Sequence, residues 1–313
     1  MPAYTGVHID RALTNVSIFY RNASYIADEV SPPVQVRKES DKYFVYDRSH
    51  FRVPATFRAD KDEASFIQYG VSDETYFCEE YALAIRVSDR ERGNSDEPLR
   101  PDMDATECVT EVLLLDREIR VAGEVLDSTN YGSYAATHFA NLTLDWDDIV
   151  GATPRQDIYH AKYAVWRDSR KQATHIILPV EVSYRLAQME QIDELRKYTD
   201  PGLLTDSGLP KVLWGLKVLE AQATYDVSVE GATAESFSEC WGTNVVVFHK
   251  NPGTIGIRTL TFSITMQSQP FQTRKWREEN RKSDVMEVSH RYDTKIVAAP
   301  CAMVLTSTIT PQT

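Results

Sequence analysis

The sequence predicts an α+β fold from three observations: one amphipathic helical stretch of unusual length, short β-rich runs before it, and helices giving way to β-rich runs after it. The long stretch is Pro101 to Asp127, PDMDATECVTEVLLLDREIRVAGEVLD. Ala105, Cys108, Val112, Leu115, Ile119, Ala122 and Leu126 recur in steps of three and four, which puts them in one row on a helix. That row is the expected buried stripe, with Leu115 and Ile119 the positions least able to accept a charge. Glu107, Glu111, Arg117, Glu118 and Glu124 are expected on the opposite, solvated face. Pro101, followed by Asp102 and Asp104, suits the first turn and the positive end of a helix dipole. A helix of this length spans about 40 Å.

Taken in order, residues 1–35 read as an arm: apolar anchors (Val16, Ile18, Phe19, Tyr25, Ile26, Val30) keep no helical period, and Pro32 and Pro33 impose an extended path. Such a segment lies either on its own domain or on a neighbour. Residues 36–87 carry the alternating runs KYFVYD, HFRV, SFIQYGV and ETYFCEEYALAIRV, the pattern of hairpin strands, with Arg58 to Ala64 as the tip. Arg58 to Glu80 holds seven acids and two bases, and an acidic two-stranded projection needs a partner to steady it. Ser88 to Arg100 is a charged linker into the long helix. Beyond that helix, Gln156 to Lys171 forms a second amphipathic helix with Ile158, Ala161 and Val165 beside Tyr159, Tyr163 and Trp166. THIILP is a buried strand, and a single third helix starts at Pro179 with Val182, Leu186, Met189, Ile192 and Leu195 on its apolar face. Strands are expected at Lys211 to Ala221, Asn244 to His249, Thr254 to Met266 and Tyr292 to Ile309.

Composition excludes several function classes. The chain has 313 residues, 42% hydrophobic and 26% charged, and a formal net charge of −12, which argues against nonspecific nucleic-acid binding as its main task. No run approaches the roughly 18 apolar residues of a membrane span, and the N-terminus lacks a secretory pattern, so folding in a reducing cytosol is expected. Cys78, Cys108, Cys240 and Cys301 are far apart in sequence and read as structural thiols; the sequons at Asn15, Asn22 and Asn141 carry no weight without a secretory route. Asp145, Asp147 and Asp148 lack the glycine and distal glutamate of a calcium loop and read as capping or surface acids. The seven histidines form no H-E-x-x-H or Cys/His cluster, and the nucleophile elbow, dinucleotide fingerprint and P-loop are all missing. No catalytic, cofactor-binding or metal-binding residue is expected, and the chain is read as a non-enzyme. Thr273 to Lys282, TRKWREENRK, holds five bases and two acids around Trp276, and reads either as a solvated loop or as a contact for DNA phosphate or an acidic neighbour such as the Arg58 to Glu80 projection.

Three stretches in this order, Leu13 to Arg48, the ATECVTEVLLLDREIRVAGEVLD helix, and Thr174 to Leu195 (THIILPVEVSYRLAQMEQIDEL), resemble the major capsid proteins of tailed bacteriophages with the Hong Kong 97-type fold. The resemblance implies an N-terminal arm (1–35), an extended β-hairpin loop (36–87), a peripheral domain (88–173) with a spine helix at 102–127, an axial domain (174–252), and C-terminal strands returning to the peripheral domain (253–313). It implies a subunit of hexamers and pentamers closing an icosahedral head around double-stranded DNA, located in the virion and made in the bacterial host cytoplasm. The partners implied are other copies of itself, portal, scaffolding and cement proteins, and DNA without sequence-specific contacts, with no membrane and no cofactor. The alternative is another oligomeric virion component, a decoration or tail-tube protein, and after it an enzyme with a dispersed site. Some family members crosslink a lysine to an asparagine of another subunit; Lys61 lies in the extended loop, but no motif assigns it that chemistry.

Overall fold

One long helix lies against two separate β-sheets. The computed structural model describes residues 8–9, 25–46, 71–95, 100–142, 145–149, 151–197, 201–228, 236–251 and 259–310, together with 53, 56, 57 and 63. The expected hairpin tip, Arg58 to Ala64, lies outside the described residues except for Glu63, as do Lys61 and most of the arm before Tyr25. In chain order the elements are β1 (His8–Ile9), α1 (Ala27–Val30), β2 (Pro33–Gln35), β3 (Ser40–Tyr46), β4 (Val71–Phe77), β5 (Glu79–Ser88), α2 (Asp89–Asn94) and α3 (Pro101–Leu126). After a 3₁₀ turn at Ser128–Tyr134 come α4 (Ala135–His138), β6 (Phe139–Asn141), α5 (Pro154–Ser169), β7 (His175–Pro179), α6 (Val180–Ala187) and α7 (Glu190–Arg196). The chain ends in β8 (Val212–Leu213), β9 (Leu216–Ala221), β10 (Thr224–Asp226), β11 (Phe237–Glu239), β12 (Val245–Phe248), β13 (Ser263–Glu278), β14 (Ser283–Ile296) and β15 (Ala302–Thr306).

The first sheet runs β1-β13-β14-β5, with β2 also paired to β13; the second runs β6-β15-β12-β7-β9-β8. The second sheet is covered on both faces, so β12 is buried along its whole length and reads as an unbroken apolar run, VVVF. Its alternate residues feed two cores. Ile176, Leu178, Val245 and Val247 meet α5, α6 and α7 on one side, while Ile177, Val246 and Phe248 meet α1 and the C-terminal half of α3 on the other. Strands β6 and β15, from either side of the 174–252 segment in sequence, complete this sheet.

The helix α3 begins with Pro101 at its first turn and Asp102 and Asp104 behind it, as the sequence indicates, but it buries a different face. The buried residues are Ala105, Thr106, Val109, Thr110, Leu113, Arg117, Glu118, Val121, Ala122 and Val125. Cys108 and Val112 are exposed, Leu115 and Ile119 only half-buried, and the charged pair Arg117–Glu118 points inward. The reason is that Val112 to Leu115 is apolar around the full turn, so periodicity alone offers two rows and the partner surface selects one. Thr106 and Thr110 fit the buried row because each hydroxyl donates to the carbonyl one turn back, Asp102 O at 2.8 Å and Thr106 O at 2.7 Å. Along its length α3 meets Met286 and Val87 through Ala105, Val288 through Val109 and Leu113, and the second sheet's core through Val121, Ala122 and Val125.

Other boundaries also differ from the sequence reading. The third helix breaks at Gln188–Met189 into α6 and α7, and Leu195 is largely exposed. Lys211 to Ala221 is folded back at Trp214 and Gly215, both at positive φ (48° and 81°), into a two-residue hairpin that pairs Leu213 with Leu216. β13 starts at Ser263 and runs on to Glu278, so most of the basic patch is strand and not loop. Its pairing with β14 shifts register on both sides of Gln269, beside Pro270, which has no N–H to give to a ladder. The expected strand from Tyr292 to Ile309 is instead the end of β14, a 3₁₀ turn and β15.

Because Leu113 is 2% exposed and Val112 46%, Leu113→Ala is expected to cost about 2–5 kcal/mol and Val112→Ala less than about 0.5 kcal/mol, measured by denaturant unfolding of the soluble subunit. Equal costs at the two positions would show that the buried face is misassigned. Leu113→Asp is expected to prevent folding, whereas Leu115→Asp leaves a folded chain.

Candidate assembly site

Two consecutive charged residues in the middle of α3 join the parts of the chain. Glu118 is fully buried: one carboxylate oxygen accepts the backbone N–H groups of Ile26 (3.1 Å) and Ala27 (2.8 Å), and the other accepts the indole N–H of Trp241 (2.6 Å). Burial pushes the Glu118 carboxyl above its ordinary range; the donors from Trp241, Ala27 and Ile26 pull it back, and the nearby Asp28 carboxylate adds to the rise. Arg117, also buried, forms an ion pair with Asp28 at 2.6 Å and lies 5.5 Å from the centre of the Tyr292 ring. The segment after Tyr25 is fixed further by Tyr25 donating to Glu111 (2.7 Å), Lys250 to Glu29 (2.8 Å), the Ser31–Ser263 hydroxyl pair (2.8 Å), and parallel pairing of β2 with β13. Of the two readings of the arm, the described residues from Tyr25 to Gln35 therefore lie on their own chain.

The β3–β4 hairpin is anchored at its base and uncovered above it. Tyr76 and Cys78 pack with Met266 and the partly buried Val36, Tyr43 and Ile264. Beyond that base, cross-strand pairs Lys42–Asp73 and Tyr43–Glu74 hold the two strands together and Phe44 (61% exposed) faces solvent, as does Phe77 (60%) within the base itself.

The centre of the basic patch, Lys275 and Arg277, is committed within its own chain. Lys275 pairs with Asp102 (2.8 Å) and Asp284 (3.3 Å), Arg277 with Asp89 (2.6 Å) and Asp284 (3.2 Å), and Arg92 from α2 joins Asp102 (2.8 Å) and Asp284 (2.9 Å). Desolvation alone would raise the Asp284 carboxyl, but Arg277, Lys275 and Arg92 hold it below its ordinary value. These charges fasten the β13–β14 hairpin to α2 and to the first turn of α3. An acidic neighbour is not needed to balance them.

The described histidines are scattered, as the sequence suggests. His138 bonds the Ala302 carbonyl (2.6 Å) and Asp168 (3.0 Å), and His249 bonds the Gln172 carbonyl (2.7 Å). His290 is fully buried among Tyr81, Phe271 and Tyr292, and burial, with Arg117 and Arg120 nearby, pulls its pKa down to about 3. Burial pushes the thiols of Cys240 and Cys301 up to about 12, which makes them poor nucleophiles. Asp147 accepts the N–H of the distant Thr310 (2.7 Å), a tertiary contact, and Asp148 the Gly151 N–H (3.0 Å), a turn contact. Among the described residues no group of acids, histidines and cysteines is arranged to hold a metal.

This frame matches solved structures over nearly its whole length. A phage-related protein from Bordetella bronchiseptica RB50 superposes with a TM-score of 0.72 at 18% identity, covering 97% of this chain and 99% of that one. The capsid of cyanophage P-SCSP1u gives 0.64 at 9% identity (97% and 92% covered), and the mature capsid of bacteriophage PhiM1 gives 0.56 at 14% (89% and 86%). The chain has the Hong Kong 97-type capsid fold. By sequence it is 38% identical over 143 residues to the major capsid protein of Pseudomonas phage JBD67, a match that spans 45% of each protein. It is 25% identical over 241 residues to the major capsid protein of Burkholderia phage BcepMu, spanning 76% of this chain and 75% of that one. No protein-family model matches. Its relatives are thus structural proteins of phage capsids and not enzymes. Within the capsid fold, the inward turn of Arg117 and Glu118 is what the sequence reading missed, since it placed both on the solvated face. The available signal was the second apolar row, Val109, Leu113, Val121 and Val125, which shares its face with that pair.

Glu118→Ala leaves three buried N–H donors without an acceptor and is expected to cost at least about 3 kcal/mol, with a smaller loss for Glu118→Gln, which keeps one acceptor oxygen; urea midpoints measure both. A loss under about 1 kcal/mol for the alanine variant would remove the carboxylate from this role. For His290 the folded pKa lies below the unfolded one, so the unfolded chain binds more protons as pH falls from 6.5 toward about 3, and stability drops over that window. His290→Phe is expected to flatten this dependence, read as unfolding free energy against pH; an unchanged slope contradicts the assignment. Lys275→Glu combined with Arg277→Glu is expected to lower the melting temperature of the isolated subunit, because the lost partners are Asp89, Asp102 and Asp284 of the same chain.

Proposed function

We propose that the chain is a phage major capsid protein that self-assembles into hexamers and pentamers of an icosahedral head enclosing double-stranded DNA. The observation that supports this reading best is the superposition on a phage capsid structure along nearly the full chain. The uncovered hairpin agrees with it: a two-stranded element with Phe44 and Phe77 exposed is weakly stable alone and gains its missing contacts by lying on a neighbouring subunit. On this reading residues 1–35 are the arm and 36–87 the extended loop. Residues 88–173 and 253–313 make the peripheral domain around the first sheet and the spine helix, and 174–252 make the axial domain, whose sheet borrows β6 and β15 from the flanking segments.

The net charge of −12 suits a coat that must let its DNA leave, since a strongly basic wall would hold phosphate. Portal, scaffolding and cement proteins are the expected partners, the virion the expected location, and the host cytoplasm the place of synthesis. No described helix is long and apolar enough to cross a membrane.

Expression of the chain, followed by gradient sedimentation and electron microscopy, is expected to show capsomers or closed icosahedral shells. A chain that remains a monomer under all assembly conditions overturns the proposal. Helical tubes, or particles seen only as additions to another shell, would instead favour a tail-tube or decoration protein.

A further inference from the structure

The helix α5 is half inside and half unexplained. Its inner face, Ile158, Ala161, Ala164 and Val165, is buried against the second sheet. Its outer face carries three aromatic rings in one row, Tyr159 (45% exposed), Tyr163 (60%) and Trp166 (44%), with the Tyr163 and Trp166 ring centres 6.0 Å apart. Cations flank this row: Arg155 and Lys162 lie 5.9 Å and 5.1 Å from the Tyr159 ring centre, and Arg170 lies 5.3 Å from that of Trp166. Lys162 is held in place by donating to the Trp214 carbonyl at 2.7 Å, whereas Arg155 and Arg170 are exposed. The helix C-terminus adds a further exposed base, Lys171. A row of three exposed rings edged by bases has the make-up of a protein contact, in which aromatic residues and arginine dominate.

The same side of the same sheet carries a surface of opposite character. There α6 and α7 turn Val182, Leu186, Met189 and Ile192 inward and leave Tyr184 and Leu195 part-exposed on helices that also carry the exposed carboxylates Glu190 and Glu194. α5 stands over β12 and β15, and α6 over β7 and β9, so the two surfaces sit over different strands of one sheet. One is aromatic and cationic, the other apolar with acids along α7, ahead of Lys197 at its end. A closed ring of identical subunits requires two different, mutually complementary surfaces on each copy, because every contact is head to tail.

We propose that the outer row of α5 is one half of such a contact and that its occupant is a second copy of this chain, presenting α6 and α7. This rests on the capsid reading and specifies which surfaces meet within the capsomer. Complementary charge selects the partner: a chain of net charge −12 carries abundant acid to offer, and the exposed Arg155 and Arg170 provide the cationic rim to receive it. Duplex DNA fits the surface less well, since paired bases offer no open ring faces to Tyr163 and Trp166.

The test is a charge swap in the full chain. Arg155→Glu with Arg170→Glu is expected to leave the unfolding midpoint of the subunit unchanged and to lower the assembled fraction about ten-fold, seen by sedimentation and electron microscopy. Combining it with Glu190→Arg and Glu194→Arg is expected to restore shells, while Tyr163→Ala with Trp166→Ala abolishes assembly without unfolding. Normal shells from the Arg155/Arg170 variant overturn the proposal, as do shells that form normally but lose their DNA, which would assign the row to nucleic acid. Loss of assembly that the combined variant fails to restore overturns the pairing. In each of these cases shells of the unaltered chain show that the capsid reading stands; their absence is a failure of that reading and not of the contact.

Discussion

The carboxylate of Glu118 is the constraint on which the rest of the arrangement depends. A buried carboxylate is tolerated only when its oxygens are occupied by donors, and here those donors reach the spine helix from two distant parts of the chain: the segment at Ile26–Ala27, and Trp241 of the second sheet's core. The N–H groups of Ile26 and Ala27 belong to the start of a helix of only four residues, which cannot satisfy them itself. Arg117, one position earlier, reaches Asp28 in the same short helix and packs over Tyr292 of the first sheet. Two adjacent side chains thus specify how the N-terminal segment, the long helix and both sheets are placed, with a geometric precision that apolar packing alone does not impose.

Around that centre the chain divides its charges into those used internally and those left for others. Lys275 and Arg277 of β13 are tied to Asp89, Asp102 and Asp284, where they close the turn between the hairpin, α2 and the first turn of α3. The outer row of α5 is different: its charges edge exposed aromatic rings, while the hairpin of β3 and β4 leaves Phe44 and Phe77 exposed. On the proposed function, these are the surfaces that would lie against other copies, where many modest contacts add.

How much of this was legible in the sequence differs from element to element. The α+β class, the long helix with Pro101 at its start, the second helix, and the buried strand HIILP all follow from local pattern, because proline, periodicity and β-branched runs act within a few residues. The resemblance carried by Thr174 to Leu195 and by the long helix named the fold that superposition then supported. The role of the basic run Thr273 to Lys282 stayed open, since sequence shows its charge but not Asp102 and Asp89, far away in the chain, that pair with Lys275 and Arg277. The break between α6 and α7 and the fold-back at Trp214–Gly215 also escaped, each decided by one or two backbone angles.

The sequence by itself determined that this chain has a long amphipathic helix between two β-rich regions, an acidic balance, isolated thiols and none of the motifs searched for as signs of catalysis. Only the tertiary structure decided which face of that helix is inside. Val112 to Leu115 offers apolar side chains in every direction, so the local pattern is degenerate, and Arg117 and Glu118 appear polar and therefore external. They are internal because Asp28, Ile26, Ala27 and Trp241, some 90 to 120 residues away in sequence, converge on them in space. Periodicity reports the preferences of a helix in isolation, whereas burial of a charge is decided by partners that the chain supplies from elsewhere.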